Sequence, residues 1–139
     1  MIRIESEAWQ AMVEHAKRAF PKECCGVMIG AEADDGKRQV THAIPCRNAY
    51  EGDQKDRFLI DPKDQLAADR KARELGLTVL GFFHSHPNEG SYFSATDLKN
   101  SWPWYSNVVL SIRDGEFKEA KSFIANDDQT AADPEELEF

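Results

Sequence analysis

The sequence predicts an α/β fold of mixed α+β character, a single domain built on one central mixed β-sheet flanked by helices. Three observations lead there. Helical and strand periodicities alternate along the chain instead of segregating, and the strand-like runs are short and bounded by Gly, Pro and Asp. A chain of 139 residues, 41% hydrophobic and 30% charged, suits one domain with one core.

The elements follow in order. Trp9, Met12, Val13, Ala16 and Phe20 repeat at i, i+3, i+4, i+7 and i+11, which predicts a first helix capped by Ser6 and stopped by Pro21. Strands are expected at 25–29, 39–46 and 57–60, with polar connections between them. Asp61 and Pro62 form an N-cap and first-position pair for a second helix that Gly76 ends. The run TVLGFF at 78–83 is β-branched, aromatic and apolar, so it reads as a buried strand, and Pro87 cannot continue its ladder. A short helix starts at Ser94, and the aromatic group Trp102, Trp104 and Tyr105 around Pro103 is expected to anchor its end in the core. Strands at 108–112 and 116–124, joined by Arg113-Asp114-Gly115, make a hairpin with a D-G turn. The domain is expected to span 1–125, and the acidic tail 126–139, which has no period, to be mobile.

Composition narrows the function. A net charge of −8 with no basic cluster beyond short pairs such as Lys37-Arg38 argues against a nucleic-acid partner. No run approaches the roughly 18 apolar residues of a membrane span, and the charged N-terminus lacks the apolar stretch of a signal peptide, so a cytoplasmic location without membrane attachment is expected. Cys24, Cys25 and Cys46 form no C-x-x-C pair, and neighbours in sequence are poorly suited to a disulfide, which leaves free buried thiols.

The chemistry concentrates in HSHPNEGSYFSATD, an H-x-H followed after seven residues by S-x-x-D. At i and i+2 of a strand, His84 and His86 face the same way with Cα atoms about 6.5 to 7 Å apart, while Ser85 faces the other side. Two ring nitrogens can then meet at one ion, each about 2.0 to 2.1 Å away, and Asp97 at the start of the next helix can supply a third ligand. Two histidines and a carboxylate leave a fourth tetrahedral position for water, the pattern of a catalytic zinc site. Plainer readings stand beside this one. Ser94 and Asp97 also fit a helix N-cap and first-turn charge, and the histidines could simply end a strand. Ser94 can fill both roles, since capping uses a lone pair and leaves its proton.

An activated water needs a proton acceptor. Glu23, in PKECCGVMIG just before the first expected strand, is a candidate general acid/base, although a lone carboxylate there is more commonly solvated. Asn88, Glu89 and Ser91 sit between the ligands and are candidates to line a cleft, and the polar stretch 47–56 is a candidate flap over a substrate tail. His15, on the polar side of the first helix, and His42 lack matching spacing and are left out of the site.

Taken together, PKECCGVMIG, RFLIDP and TVLGFFHSHPNEGSYFSATDLKNSWPWYSNVVLSI resemble the JAMM (MPN-plus) metallopeptidases in their compact bacterial and archaeal form, over about residues 1–125. Every signature position is filled. The resemblance implies the JAMM/MPN architecture, which is similar to cytidine deaminases, with one zinc per chain bound by His84, His86 and Asp97. It implies Glu23 as general base and Ser94 as hydrogen-bond partner of the water or the tetrahedral oxyanion. It further implies cleavage of an amide or isopeptide bond at the C-terminus of a ubiquitin-like protein. In bacteria such substrates are small sulfur carriers with a Gly-Gly tail, from which an amino acid or short peptide is released; relatives are often homodimers. Polyubiquitin is not expected, because 139 residues leave little room for the insertions that grip two ubiquitins. Two other classes are alternatives: a non-catalytic MPN-type binding module, against which the intact ligand set argues, and a zinc deaminase, whose H-x-E and P-C-x-x-C are both absent.

Overall fold

Strand alternation divides the buried residues of the computed structural model, which describes residues 1–139, into two layers on either side of one sheet. The strands are β1 (Ile2–Ile4), β2 (Cys25–Glu32), β3 (Arg38–Cys46), β4 (Thr78–Pro87), β5 (Ser106–Arg113), β6 (Glu116–Ala125), β7 (Ala132–Glu135) and β8 (Leu137–Glu138). The helices are α1 (Ser6–Ala19), α2 (Pro62–Glu74) and α3 (Ala95–Asn100). The sheet order is β7-β6-β5-β4-β2-β3-β1-β8, with β4 and β5 parallel at its centre and β2 antiparallel to both β3 and β4, so the sheet is mixed as expected.

One face packs on α1. Cys24, Met28, Leu80, Phe83, Val108 and Leu110 meet Ala8, Met12 and Ala16 there. The other face carries Cys25, Val27 and Ile29 against α2, whose Ala68 and Ala72 have small side chains that allow a close approach. Local chemistry sets most boundaries. The Asp61 carboxylate accepts from the Lys63 N–H at 2.9 Å with Pro62 as the first helical residue, and Gly76 takes φ of 69° just beyond the end of α2. Asp114 and Gly115, with φ of 52° and 82°, turn the β5–β6 hairpin.

Four expectations need correction. Ser6 does not cap α1; it is the first helical residue, and Glu5 holds the cap position without a side-chain bond. Residues 57–60 form no strand, because their main-chain groups bond to the Asn48 side chain at Arg57 and Leu59, leaving a single bridge between Asn48 and Ile60. Trp102 and Trp104 are 64% and 46% exposed, so they do not anchor a core. Helix α3 buries none of its own residues, the segment after it crosses the surface, and the Arg38 guanidinium stacks on Trp104 at 4.1 Å.

The acidic segment 126–139, expected to be mobile, is paired into the sheet instead. β7 lies antiparallel to β6 and β8 parallel to β1, with only Glu136 between them. One short stretch therefore joins both ends of the strand order and curls the sheet around α1. Its pairing uses backbone groups offered by two edges, which needs no periodicity of its own. The Glu136 carbonyl accepts from the Ile2 N–H at 2.9 Å, and Phe139 stacks on Trp9 with ring centres 4.0 Å apart. No helix is long and apolar enough to cross a membrane.

Candidate metal centre

The site grows from the register of the two central strands. β4 lies between β2 and β5, so His84 and His86 at its end are only 2% and 3% exposed, both on the α2 face with Phe82. Ser85 turns to the opposite face, where its hydroxyl accepts from the Cys24 N–H at 2.8 Å. Cys25 pairs with His84 across the antiparallel ladder. Continuing that register places Glu23 opposite His86 and on the same face, since two residues restore the side-chain direction.

Asp97 arrives from the other direction on α3. The Ser94 hydroxyl accepts from the Asp97 N–H at 3.0 Å, while the Asp97 Oδ2 accepts from the Ser94 N–H at 3.0 Å, a reciprocal capping box that fixes the carboxylate. The same Oδ2 lies 3.1 Å from His84 Nε2 and 3.1 Å from His86 Nε2, and these two nitrogens are 3.2 Å apart. Ligands at about 2.0 to 2.1 Å from a tetrahedral ion are separated by about 3.3 to 3.4 Å, so the triangle is close to one face of such a tetrahedron. His86 Nδ1–H donates to the Gly90 carbonyl at 2.9 Å, which leaves the Nε2 lone pair directed at the centre.

Glu23 completes the cluster. A carboxylate oxygen of Glu23 and ring nitrogens of His84 and His86 all lie within 4.8 Å of one another. Glu23 is 5% exposed, and its Oε1 is buried without a hydrogen-bond partner. Burial pushes its carboxyl up to about 8, partly opposed by His86 and reinforced by the negative charges of Asp97, Asp56 and Glu89. Burial also lowers the His84 imidazole. For His86 burial works against the charged ring, but the Asp97 bond and charge outweigh it and the net direction is up. Partial burial works against the charged Asp97 carboxylate, yet the charge of His84 and the bonds from both rings hold it well below the usual carboxylate range. The group thus pairs an ionised carboxylate with two inward-facing imidazoles and a second carboxyl that takes up a proton near neutral pH.

A cleft of about 480 Å³ opens beside His84 and Asp97, lined by Tyr50, Phe58, Phe82, Phe93 and Trp102. Phe58 lies nearly parallel to the His84 ring at 4.5 Å. Of the stretch 47–56, Tyr50 and Asp56 reach the cleft. Asn88, Glu89 and Ser91, expected to line it, are not among its walls. Asn88 accepts from the Asp114 N–H at 2.9 Å, Glu89 accepts from the Tyr92 hydroxyl at 2.6 Å, and the Ser91 N–H bonds Glu119 at 3.3 Å. Tyr92 itself stands beside His86, ring centres 5.0 Å apart.

The three cysteines are free and buried. Burial pushes the Cys24 thiol up to about 12 and Cys46 up to about 11, and raises Cys25 as well, so none is a nucleophile at neutral pH. Sequence reasoning missed three residues. His15 is half-buried, not on a solvated face, with Nε2 3.1 Å from the carbonyls of both Cys25 and Cys46. Phe58 lies in a run whose apolar pattern points to a strand and not to a site, and Asn48 in a polar stretch with no periodic signal.

The family model describing prokaryotic homologues of the JAB domain matches residues 5–125. The CysO-cysteine peptidase of Mycobacterium tuberculosis is 33% identical over 132 residues, which cover 94% of this chain and 87% of the relative. The desampylase of Haloferax volcanii is 30% identical over 115 residues, 79% of this chain and 80% of that protein. Among solved structures, that of protein DSY2949 from Desulfitobacterium hafniense superimposes with a TM-score of 0.85 at 32% identity, covering 99% of this chain and 91% of the other.

Proposed function

The chain belongs to the family of prokaryotic homologues of the JAB domain, and on that premise we propose that it is a zinc metallopeptidase acting on a ubiquitin-like carrier protein. The bond it cuts is an amide or isopeptide at the Gly-Gly tail of a small sulfur carrier, with release of an amino acid or short peptide. The peptidase relatives support hydrolysis. The single observation that carries the reading further is the triangle of His84, His86 and Asp97 atoms at 3.1 to 3.2 Å with the unpartnered Glu23 oxygen beside it.

His84, His86 and Asp97 would hold one zinc ion per chain. Bound there, the ion supplies Lewis acidity, which acidifies water and polarises a carbonyl. Glu23 accepts the proton of the attacking water at its carboxylate and returns it to the departing amine nitrogen. Its lack of any protein partner leaves that oxygen free for the task. The Ser94 hydroxyl accepts from Asp97 N–H and so keeps its own proton to donate to the oxyanion of the tetrahedral intermediate. Phe58 and Phe82 beside His84 exclude water from the reacting groups, and the adjoining cleft receives the extended carrier tail.

The test is metal analysis of the purified protein together with hydrolysis of a carrier extended beyond its Gly-Gly end. One zinc per chain and metal-dependent cleavage are expected, with Glu23→Gln keeping zinc and losing cleavage. Retained cleavage in that variant removes Glu23 from the role of base. A zinc-free protein that holds the carrier intact would make the chain a binding module.

A further inference from the structure

Glu23 precedes the first residue of β2, so neither its N–H nor its carbonyl has a ladder partner. Both are taken up by one loop. The Glu23 N–H donates to the Gln54 carbonyl at 2.7 Å, and the Glu23 carbonyl accepts from the Asn48 Nδ2 at 3.2 Å. The same Asn48 amide donates to the Arg57 carbonyl at 3.0 Å, while its oxygen accepts from the N–H groups of Tyr50 and Leu59, each at 3.1 Å. An asparagine side chain offers two donor hydrogens and two acceptor lone pairs, and here all four are used. Gln54 braces the arrangement by donating to the carbonyls of Asn48 at 3.0 Å and Tyr50 at 2.9 Å.

From this we infer that Asn48 is a positioning residue: it locks the main chain of Glu23 to both ends of the loop that carries Tyr50, Phe58 and Leu59 into the cleft. The inference rests on the reading of Glu23 as the proton acceptor. A buried main chain without ladder partners depends on whatever side chains satisfy it, and a half-satisfied hub releases several groups together. The loop and the carboxylate therefore move as one unit. Substrate contacts along Phe58 and Leu59 and the placement of the proton acceptor share a single hinge point.

The experiment pairs amide hydrogen exchange with steady-state kinetics on Asn48→Ala and the wild type. Exchange protection at the amides of Glu23, Tyr50 and Leu59 is expected to fall at least about tenfold, with the amides of β4 and β5 unchanged. Per zinc-loaded molecule, kcat on an extended carrier is expected to fall on the order of 100-fold, the cost of a reacting group displaced by about 1 Å. Should Asn48→Ala not fold, Asn48→Asp, equal in size, keeps an acceptor for Tyr50 and Leu59 but sets a charged oxygen against the Glu23 and Arg57 carbonyls in place of the two donors, and is read by kcat and by exchange at Glu23. Unchanged protection at Glu23 and Leu59 overturns the inference whether or not the protein is a peptidase. So does a variant with local exchange but unaltered kcat, or one in which KM alone rises. A wild type without hydrolytic activity but with the expected exchange pattern sinks the catalytic reading and leaves the tie between Asn48, Glu23 and the loop standing as a structural device only, which equally removes Asn48 as a positioning residue for catalysis.

Discussion

Ser94 sits at the junction of two roles, and replacing it separates them. Its oxygen caps α3 through the 3.0 Å bond from Asp97 N–H, and in the proposed mechanism its proton serves a developing oxyanion. Ser94→Ala removes both functions. Loss of an N-cap costs about 0.5 to 2 kcal/mol, whereas glycine at the same position costs only a few tenths. Loss of an oxyanion donor costs about 2.7 to 4 kcal/mol of transition-state stabilisation, a factor of about 100 to 1,000 in turnover. Ser94→Ala should therefore lose about 1 kcal/mol in denaturant unfolding and about 100-fold or more in kcat. Ser94→Gly should lose the same turnover with nearly wild-type stability, and Ser94→Thr, which retains a hydroxyl, should keep most of both. The Asp97 carboxylate is held by the Ser94 main-chain N–H, which every variant retains, so zinc content should not change. Wild-type turnover in Ser94→Gly would reduce Ser94 to a cap and refute the oxyanion role. Undiminished stability in Ser94→Ala would refute the capping argument.

Two further outcomes test the fold. Raised thiol pKa values mean that Cys24, Cys25 and Cys46 stay protonated in the folded protein; the stability they contribute persists below the unfolded thiol value of about 8.5 and is lost as pH climbs towards 11 to 12. At pH 8 a thiol reagent should label none of the three until denaturant is added, and rapid native labelling would contradict their burial. Removing residues 136–139 strips β1 of its β8 partner and Trp9 of the stacked Phe139, so midpoint denaturant concentration should drop by an amount equivalent to at least about 1 kcal/mol. A truncated chain as stable as the parent would restore the view of a loose tail.

How much could be read in advance varied with the range of the interaction. The direction of His84 and His86 follows from a two-residue strand period, and the S-x-x-D of Ser94 and Asp97 follows from one helical turn. Glu23 is different: by itself it is a charged residue beside a strand, and only the antiparallel register of β2 on β4 brings it to His86. The loop 57–60 misled because its apolar residues look like a strand, while its hydrogen bonds go to one asparagine side chain. The last fourteen residues misled for the opposite reason, since acidic composition conceals a stretch that finds partners at both sheet edges. His15 looked solvated by periodicity, yet it bonds two strand carbonyls.

What the amino-acid order determined alone was the content of each short element: which residues share a face, where α2 is capped and where the hairpin turns. Those are consequences of covalent geometry over a few bonds, and no partner is needed to express them. Tertiary structure decided the convergence: a carboxyl before β2, two imidazoles at the end of β4, a carboxylate on α3 and a loop pinned by Asn48. Such meetings depend on strand register and on burial against neighbours distant in the chain, and burial is also what turns Glu23 from an ordinary carboxylate into a group that exchanges its proton near neutrality.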